Sequence, residues 1–507
     1  MFDRKFLLVT PVLLALTTPA AHAAVQADAL WADLTAKATE AGLQLQAASS
    51  DKTGDGRLLR DVTLTEKDGT LIASLSELAL VEHGDGSLSF VPGEIKLQNV
   101  DEASVALTHT GLDIQVFEDA GGFGYGWKAD HLKVEVNTGS DDEAAQDGVD
   151  EGLAEEGFDW AVDSLFEFKD LAGRYTRGTD ALDLTATAGY MNYAIASVSG
   201  ELEQTSKQTS ETEKLELTGR LQLPAGGLAL PDLAEEGRFM QAVDQGLGLT
   251  LALSQGKASS YSDDQNTFMP MTVTMNMEPS HLSMSLDKAS FAISSVTDAV
   301  DVKLGLAMFE APVAISFSRT AFGVKTPVQA VTEAGDYALT LEMADLKVDP
   351  AVWNMFDPEN HLDHGPAQLK IDLSGKANAD LITMAIENDL TDEENLPSVV
   401  PEVQSLDLND LLVQAAGGML TGKGAFTFDN STGMPQPIGT ADFTLKGANR
   451  VFDGLVAMGM MTEEDLSGAR MMLMMFGNPV EGAEDTLTSK VEAKADGSIF
   501  VNGQQMQ

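Results

Sequence analysis

The chain of 507 residues contains no cysteine. It therefore has no disulfide, no thiol nucleophile and no thiolate metal ligand. Basic residues are also scarce, with 31 Lys and Arg against 79 Asp and Glu and a formal net charge of −48. Binding of nucleic acid requires a cationic surface, so this charge excludes nucleic acid as a partner. It favours solubility in a salty medium, where counter-ions screen the self-repulsion.

The chain also lacks an apolar run long enough to span a bilayer, which takes about 20 residues. Its first apolar run, Phe6–Leu16, follows a charged start and has only 11 residues. The small-residue pattern Ala21-His22-Ala23 comes next, which is typical of signal-peptide cleavage. We therefore predict a signal peptide over residues 1–23, and a periplasmic mature chain that begins near Ala24 and has no integral membrane span.

Apolar and polar residues alternate with period two along much of the sequence, as in Leu215–Leu223 and Met271–Met277. Strands with one wet and one dry face are typical of antiparallel sheet. Asp68-Gly69, Asp85-Gly86 and Asp496-Gly497 lie between such runs, where hairpins need positive φ. The pattern predicts a mainly β fold (β-rich α+β), with large curved antiparallel sheets built from hairpins and a few amphipathic helices at the ends.

Helical periodicity is confined to short stretches. The strongest candidate is the C-terminal pair, in which Thr462 supplies an N-cap and acidic residues follow in the first turn. The predicted helices are Ala27–Ala41, Leu230–Gln245, Leu406–Ala416, Ala448–Met461 and Thr462–Phe476.

Composition also suggests a division of the mature chain. The acidic stretches Ser140–Asp159 and Glu387–Glu394 and the polar stretch 204–214 are candidate loops or boundaries. Behind the signal peptide we predict an N-terminal β-rich lobe, a middle β-rich lobe, and C-terminal strands with a helical pair and a final hairpin. Their expected bounds are 24–235, 236–400 and 401–507.

One stretch, Gly417–Gly424, differs from a phosphate-binding loop only at its last position, where Gly424 replaces Ser or Thr. A phosphate loop follows a strand and opens a helix. Here a helix is expected before the stretch and the strand Ala425–Phe428 after it. We therefore interpret the stretch as a glycine-rich turn, and we expect no nucleotide cofactor.

Two further motif matches have simpler readings. Ser254-Gln-Gly-Lys257 fits S-x-x-K, but that chemistry places its Ser at a helix start, whereas this segment lies between strands. Asp51–Gly56 begins like a calcium loop, but Val62 stands where the bidentate Glu belongs, so a tight hairpin turn is favoured.

Glu359-Asn-His361-Leu-Asp363-His364 resembles a zinc-hydrolase motif with Glu in the first position. One zinc ion could bind His361, His364 and a carboxylate, which makes a metal-dependent hydrolase an alternative. A solvated loop is the simpler interpretation. On that view, His364→Ala leaves the melting temperature close to that of the parent.

Seven methionines lie between Met458 and Met475. Clustered thioethers bind Cu(I), but methionine also fills cores or lines soft apolar grooves. Leu466, Ala469, Leu473 and Phe476 are expected to form an inward helical stripe that Met472 and Met475 widen. The candidate lining of an apolar groove is Met458, Met472, Leu473, Met475 and Phe476.

The glycine-rich strand pair Gly422–Gly447, the helical pair that follows it and the ending Asp496–Gly503 resemble an uncharacterised alphaproteobacterial envelope family, the domain of unknown function numbered 2125. The stretches His364–Gly375 and Ala29–Leu45 are similar to that family as well. The likeness covers most of the mature chain and implies no catalytic residue. The alternation of strand and glycine is also similar to AsmA-like envelope proteins, which implies long curved sheets that handle lipid.

Three functions remain open at this point. The first is a non-enzymatic periplasmic protein that holds a lipid or other apolar molecule on a curved sheet. The second is a structural or interaction protein of the envelope with a filled core, whose partners would be other envelope proteins. The third is the metal-dependent hydrolase around His361 and His364.

Overall fold

The computed structural model describes residues 25–40, 42–100, 103–120, 122–138, 160–199, 204–225, 238–265, 269–328, 334–378, 402–431 and 435–506. The predicted signal peptide and the two acidic stretches lie outside the described residues. Five helices are present in the described part: α1 Ala27–Glu40, α2 Arg238–Asp244, α3 Pro350–Phe356, α4 Ala448–Ala457 and α5 Glu463–Phe476.

Strands make up most of the described chain, which confirms a mainly β fold. The first fourteen are β1 Leu43–Thr53, β2 Gly56–Glu66, β3 Leu71–Glu82, β4 Leu88–Pro92, β5 Ile95–Val100, β6 Ala103–Thr110, β7 Asp113–Asp119, β8 Gly122–Thr138, β9 Trp160–Arg177, β10 Ala181–Ser199, β11 Gln204–Gln222, β12 Gly248–Gln255, β13 Ala258–Asp264 and β14 Met271–Met277. The others are β15 Ser280–Leu286, β16 Ser290–Thr297, β17 Val300–Leu306, β18 Val313–Phe317, β19 Arg319–Pro327, β20 Gly335–Val348, β21 Ala367–Asn378, β22 Glu402–Ala415, β23 Gly418–Asp429, β24 Gln436–Lys446, β25 Asn478–Pro479, β26 Thr486–Ala493, β27 Ile499–Val501 and β28 Gln504–Gln505.

The chain divides into two compact units. Unit 1 contains the described residues of Met1–Leu223 and Leu253–Thr274, and unit 2 those of Pro224–Ala252 and Met275–Gln507. This division does not test the predicted lobe boundaries at 235 and 400, which stay a prediction.

The sheet of unit 1 is an antiparallel meander. β1, β2 and β3 pair in sequence, and so do β8, β9 and β10, with β11 and β13 following. Between β3 and β8 lie two strands that are each broken in the middle, one formed by β4 and β5 and the other by β6 and β7. The predicted hairpin architecture is therefore present.

Helix α1 covers the first strands of this sheet and forms its core. Leu30 and Leu34 of α1 pack against Leu59, Leu80 and Leu88, and the last three are 0% exposed. The helix presents these apolar side chains at a spacing of four, so they lie on one face. These three strand leucines are thus fully buried in the core that α1 helps to form.

Unit 2 contains a longer antiparallel ladder. β15, β16, β19, β20, β21, β22, β23, β24 and β26 pair in that order, and every pairing is antiparallel. The short strands β27 and β28 extend the ladder beyond β26. Short turns connect β15 to β16 and β22 to β23 as hairpins, as the alternating pattern predicts, whereas helix α3 lies between β20 and β21.

The predicted helix Leu406–Ala416 is wrong, because this segment belongs to strand β22. The pairing with both neighbouring strands shifts between Leu408 and Leu411, at a β-bulge. A bulge adds a residue to one strand, so apolar side chains three apart fall on the same face. That spacing imitates helical periodicity, which explains the misreading. Residues 204–214, a predicted polar boundary, likewise form strand, as part of β11.

The other predicted helices are present in full or in part. Ala27–Glu40 confirms the first prediction, and the C-terminal pair is present with Thr462 as the N-cap of a capping box. Only Arg238–Asp244 is described of the helix expected near Leu230–Gln245. Helix α3 was not predicted, although its N-cap Asp349, followed by a proline, is a recognisable start signal.

Aromatic rings lie over cross-strand glycines at several places in the sheets. A β-carbon on Gly422 would come within 2.5 Å of the Phe443 ring, its partner on β24. Trp127 over Gly173 repeats the arrangement in unit 1. Such pairs occupy the space that glycine leaves empty, as in aromatic rescue of strand glycines. The glycines in these strands therefore provide space for aromatic rings of the neighbouring strands.

The apolar face and the C-terminal helices

Directly paired residues of an antiparallel sheet point to the same face. The ladder of unit 2 therefore places its apolar side chains in three rows that cross the strands. Together, these three rows are called the apolar face. The first row contains Met284, Ile293, Val324, Leu339, Leu373, Leu408, Gly424, Ala441 and Val491. The second contains Phe322, Leu341, Ile371, Leu411, Gly422 and Phe443, and the third Met343, Leu369, Val413, Leu420, Leu445 and Leu487.

The large side chains of the apolar face are not buried. Phe322 is 44% exposed and Val413 is 39% exposed, and every Leu, Ile and Met in the three rows is half-buried. In contrast, the strand leucines Leu59, Leu80 and Leu88 beneath α1 in unit 1 are completely buried. The half-buried state is expected for side chains that shield one another along a sheet and have no second layer of described residues above them.

The opposite face of the same strands is polar. Lys370 Nζ lies 2.9 Å from Asp410 Oδ2, and Lys376 Nζ lies 3.1 Å from Asp336 Oδ1. The hydrogen bond from Lys370 lowers the pKa of Asp410. One side of the sheet is therefore adapted to water, and the other presents aliphatic surface.

Polar contacts join the two C-terminal helices to the sheet. The Asp485 carboxylate accepts hydrogen bonds from the backbone N–H groups of Asn449 and Arg450, at 3.1 and 3.2 Å, where α4 begins. From α5, Arg470 donates to the Asn449 side chain and to Asp453 of α4. A carboxylate at a helix start compensates unpaired N–H groups and the helix dipole.

The methionines of α5 occupy an exposed surface. Leu466 is buried, and Ala469 and Leu473 are half-buried, as expected for the inward stripe. Phe476 was expected in that stripe but is 43% exposed. Side chains that are more than half exposed cannot fill a closed core. The exposed methionines are Met471 at 66%, Met472 at 59%, Met474 at 65% and Met475 at 51%.

The end of α5 lies beside the apolar face. Gly477 follows the helix, and a β-carbon there would come within 3.0 Å of the Leu487 side chain, the last member of the third row. At the end of α4, Met458 is half-buried. The candidate groove residues Met458, Met472, Leu473, Met475 and Phe476 thus belong to a helical pair that meets the edge of the apolar face. Their role as a ligand lining stays a prediction.

The histidine loop is organised around a buried carboxylate. Asp357 is 0% exposed and accepts hydrogen bonds from the N–H groups of His361 and Leu362, each at 2.9 Å. His364 Nε2 lies 2.8 Å from Asp357 Oδ2, and its ring stacks on Trp353 with centroids 4.2 Å apart. Burial alone would raise the pKa of Asp357, but these hydrogen bonds outweigh it and lower the pKa to about 2.

This geometry corrects the interpretation of a solvated loop. His364 is engaged by Asp357 and Trp353, and His361 Nε2 lies 3.2 Å from Glu359 Oε2. Within the described ranges, no group of three or more His, Asp or Glu side chains is arranged to hold a metal ion. His364 and His361 contact different carboxylates, Asp357 and Glu359, and the hydrolase alternative stays a hypothesis.

The near phosphate loop is a hairpin. Ala416 and Gly417, with φ of 54° and 90°, connect β22 to β23, and Gly422 to Gly424 lie inside β23. β23 pairs with β22 on one side and β24 on the other, so its N–H groups form no phosphate cradle. The segment before the turn is a strand where a helix was expected, but the strand after it is confirmed.

The two other motif matches also lie at strand junctions. Ser254 lies near the end of β12 and Lys257 directly precedes β13. The S-x-x-K segment therefore connects two strands and does not begin a helix. Thr53 pairs with Gly56 across the turn of the β1–β2 hairpin, as expected for the calcium-like stretch.

Each unit has a cleft on the surface of its described residues. In unit 2, a wide cleft of about 510 Å³ is lined by His361, Arg450, Asp453 and Asp485, among others. In unit 1, a cleft of about 450 Å³ lies beside Arg174, whose guanidinium carbon is 4.0 Å from the centroid of the Phe117 ring. Most residues that line the two clefts are polar or charged, and none of the candidate groove methionines is among them.

The fold and its apolar face define a mainly β protein with an aliphatic sheet surface. Residues 251–501 match the family model DUF2125, described as an uncharacterized protein conserved in bacteria. The matched residues contain the whole apolar face and both C-terminal helices, and the predicted resemblance to this family is confirmed over them. The similar stretch near Ala29 lies outside the match. No curated protein and no solved structure matches the chain.

None of the helices in the described ranges is long and apolar enough to cross a membrane.

Proposed function

We propose that the protein is an exported, non-enzymatic envelope protein of the periplasm that holds an acyl chain or a similar apolar molecule on the apolar face of unit 2. One observation carries the proposal. Three rows of paired aliphatic side chains cross the ladder, yet none of their Leu, Ile or Met members is fully buried. An apolar ligand would remove this surface from water, which stabilises by about 0.8 kcal/mol for each buried methylene group.

The face is long enough to hold an extended acyl chain. The first row crosses nine strands, and neighbouring strands lie about 4.8 Å apart, so it extends over roughly 38 Å. An acyl chain in one leaflet of a bilayer spans about half of a hydrocarbon core roughly 30 Å thick. Where an aromatic ring lies over a glycine, as Phe443 does over Gly422, the side chains project less far from the middle of the face.

Charge favours a small apolar ligand over a second copy of the chain. At a net charge of −48, two copies stacked through this face would repel each other. A neutral or weakly charged lipid encounters no comparable repulsion. The exposed C-terminal end of α5 lies beside Leu487 of β26 and would extend the apolar surface at one edge of the face.

The test uses the neutral fluorescent probe N-phenyl-1-naphthylamine and two matched variants. Leu341→Asn changes the apolar face, and Thr340→Asn changes the neighbouring residue on the opposite face of β20. We expect the parent and Thr340→Asn to bind the probe and Leu341→Asn to bind at least tenfold more weakly, with both variants showing cooperative melting. Absence of binding by the parent, or equal binding by both variants, would contradict the proposal and favour an envelope protein that acts through its polar surface.

A further inference from the structure

We propose that Met471, Met474 and Met475 on α5 form a binding site for a soft monovalent metal ion, Cu(I). The three side chains are 66%, 65% and 51% exposed. Packing therefore does not account for them, because methionine as core filler contributes by being buried. The inference is independent of the proposed binding of an apolar molecule.

The spacing on the helix brings the three thioethers together. Positions i, i+3 and i+4 of a helix are neighbours, with β-carbons about 5–6 Å apart. Methionine has three rotatable bonds, so three sulfur atoms can converge on one ion without movement of the backbone. Helix α5 is held by its capping box and by Arg470, which provides a fixed platform.

The chemistry selects the ion. Thioether sulfur is a soft ligand that prefers Cu(I) to the hard cations Mg²⁺ and Ca²⁺. The chain contains no cysteine, so no thiolate competes for the ion. The guanidinium of Arg470, beside Met471, is paired with Asp453 on α4, and the net charge of the protein attracts cations.

Methionine-to-leucine exchange separates a metal site from an apolar docking surface, because leucine keeps the volume and the apolar character but lacks sulfur. The test variant is the triple M471L/M474L/M475L. The matched control is M269L/M308L/M355L, three methionines that are also more than half exposed but lie far apart in the sequence.

Binding is measured with Ag(I), a redox-stable probe for Cu(I) sites, and by competition for Cu(I) with bathocuproine disulfonate under reducing conditions. We expect the parent and the control triple to bind one ion per chain. The M471L/M474L/M475L variant should lose at least tenfold in affinity. In ¹³C-methyl-methionine spectra, Ag(I) should shift the resonances assigned to these three methyl groups. Absence of binding by the parent, or equal binding by the two triple variants, would overturn the proposal.

Discussion

Asp357 links a helix end, a loop and an aromatic stack in unit 2. The residue follows α3, and its carboxylate accepts hydrogen bonds from two backbone N–H groups. The carboxylate also contacts His364, whose ring stacks on Trp353. A buried carboxylate remains ionised only when such donors compensate the loss of hydration. His364, the last residue of the zinc-like motif, therefore stabilises the ionised form of Asp357 at this point of the fold.

The first prediction concerns pH. Asp357 has a pKa of about 2 in the folded protein, below its ordinary value of 3.8, so its ionised form stabilises the fold above that value. This contribution is lost as the pH falls from about 4 to about 2. In the variant Asp357→Asn, the difference in unfolding free energy from the parent should be greatest above pH 4 and should shrink across this window. Chemical denaturation from pH 2 to pH 7 measures it, and a difference that stays constant would contradict the assignment.

The second prediction concerns His364. The variant His364→Ala removes a donor to a buried carboxylate and a ring stacked on Trp353, so its melting temperature should fall by several degrees. This reverses the expectation from sequence. Asp363→Asn, at an exposed carboxylate of the same loop, is the control and should have a smaller effect. Equal melting temperatures for the parent and His364→Ala would restore the solvated-loop interpretation.

At the level of elements, glycine has opposite roles in β23 and α5. Gly422 leaves the space that the Phe443 ring occupies, with ring atoms 2.5 Å from an added β-carbon, whereas Gly468 of α5 has no atom within 4 Å of its added β-carbon. The same substitution should therefore change stability in opposite directions at the two sites.

The third prediction follows from this pair. Gly422→Ala should destabilise by about 1–3 kcal/mol, because the methyl group displaces the aromatic ring. Gly468→Ala should stabilise by up to about 1 kcal/mol through helix propensity. Urea denaturation of both variants provides the measurement. A stabilising effect at Gly422 would show that Phe443 does not depend on the glycine.

The sequence predicts the type of most elements but misses two features that depend on local exceptions. Period-two alternation gives the hairpins, and Thr462 with its acidic first turn gives α5. The bulge between Leu408 and Leu411 is invisible before the pairing is known, so β22 was predicted as a helix. A helical stripe also cannot show whether a second layer covers it, and for this reason the exposure of Phe476 and Met475 was not predicted.

At the scale of the whole molecule, charge is the dominant property. With 79 acidic and 31 basic residues, self-repulsion opposes the compact state unless salt screens it. We therefore predict that the melting temperature rises when NaCl is increased from 10 mM to about 0.5 M, where the Debye length is only a few ångströms. An equal increase in osmolality with a neutral solute is the control. A melting temperature that falls with NaCl would contradict this account.

The two units differ in how far their apolar strand residues are buried. Unit 1 covers Leu59 and Leu80 with α1, whereas unit 2 leaves the apolar face half-exposed across nine strands. The DUF2125 match contains this whole face. We infer that the half-exposed state of the face serves binding, because covering it with an apolar molecule would release bound water without unfolding any part of the sheet.

Mass spectrometry of organic extracts tests this central claim most directly. The parent, Leu341→Asn and Thr340→Asn would be purified from their native envelope without detergent and extracted in parallel. The account predicts one class of lipid or other apolar molecule, near one per chain, in the parent and in Thr340→Asn, and a strongly reduced amount in Leu341→Asn. An extract of the parent that contains no apolar molecule above the level found with an unrelated exported protein would contradict it.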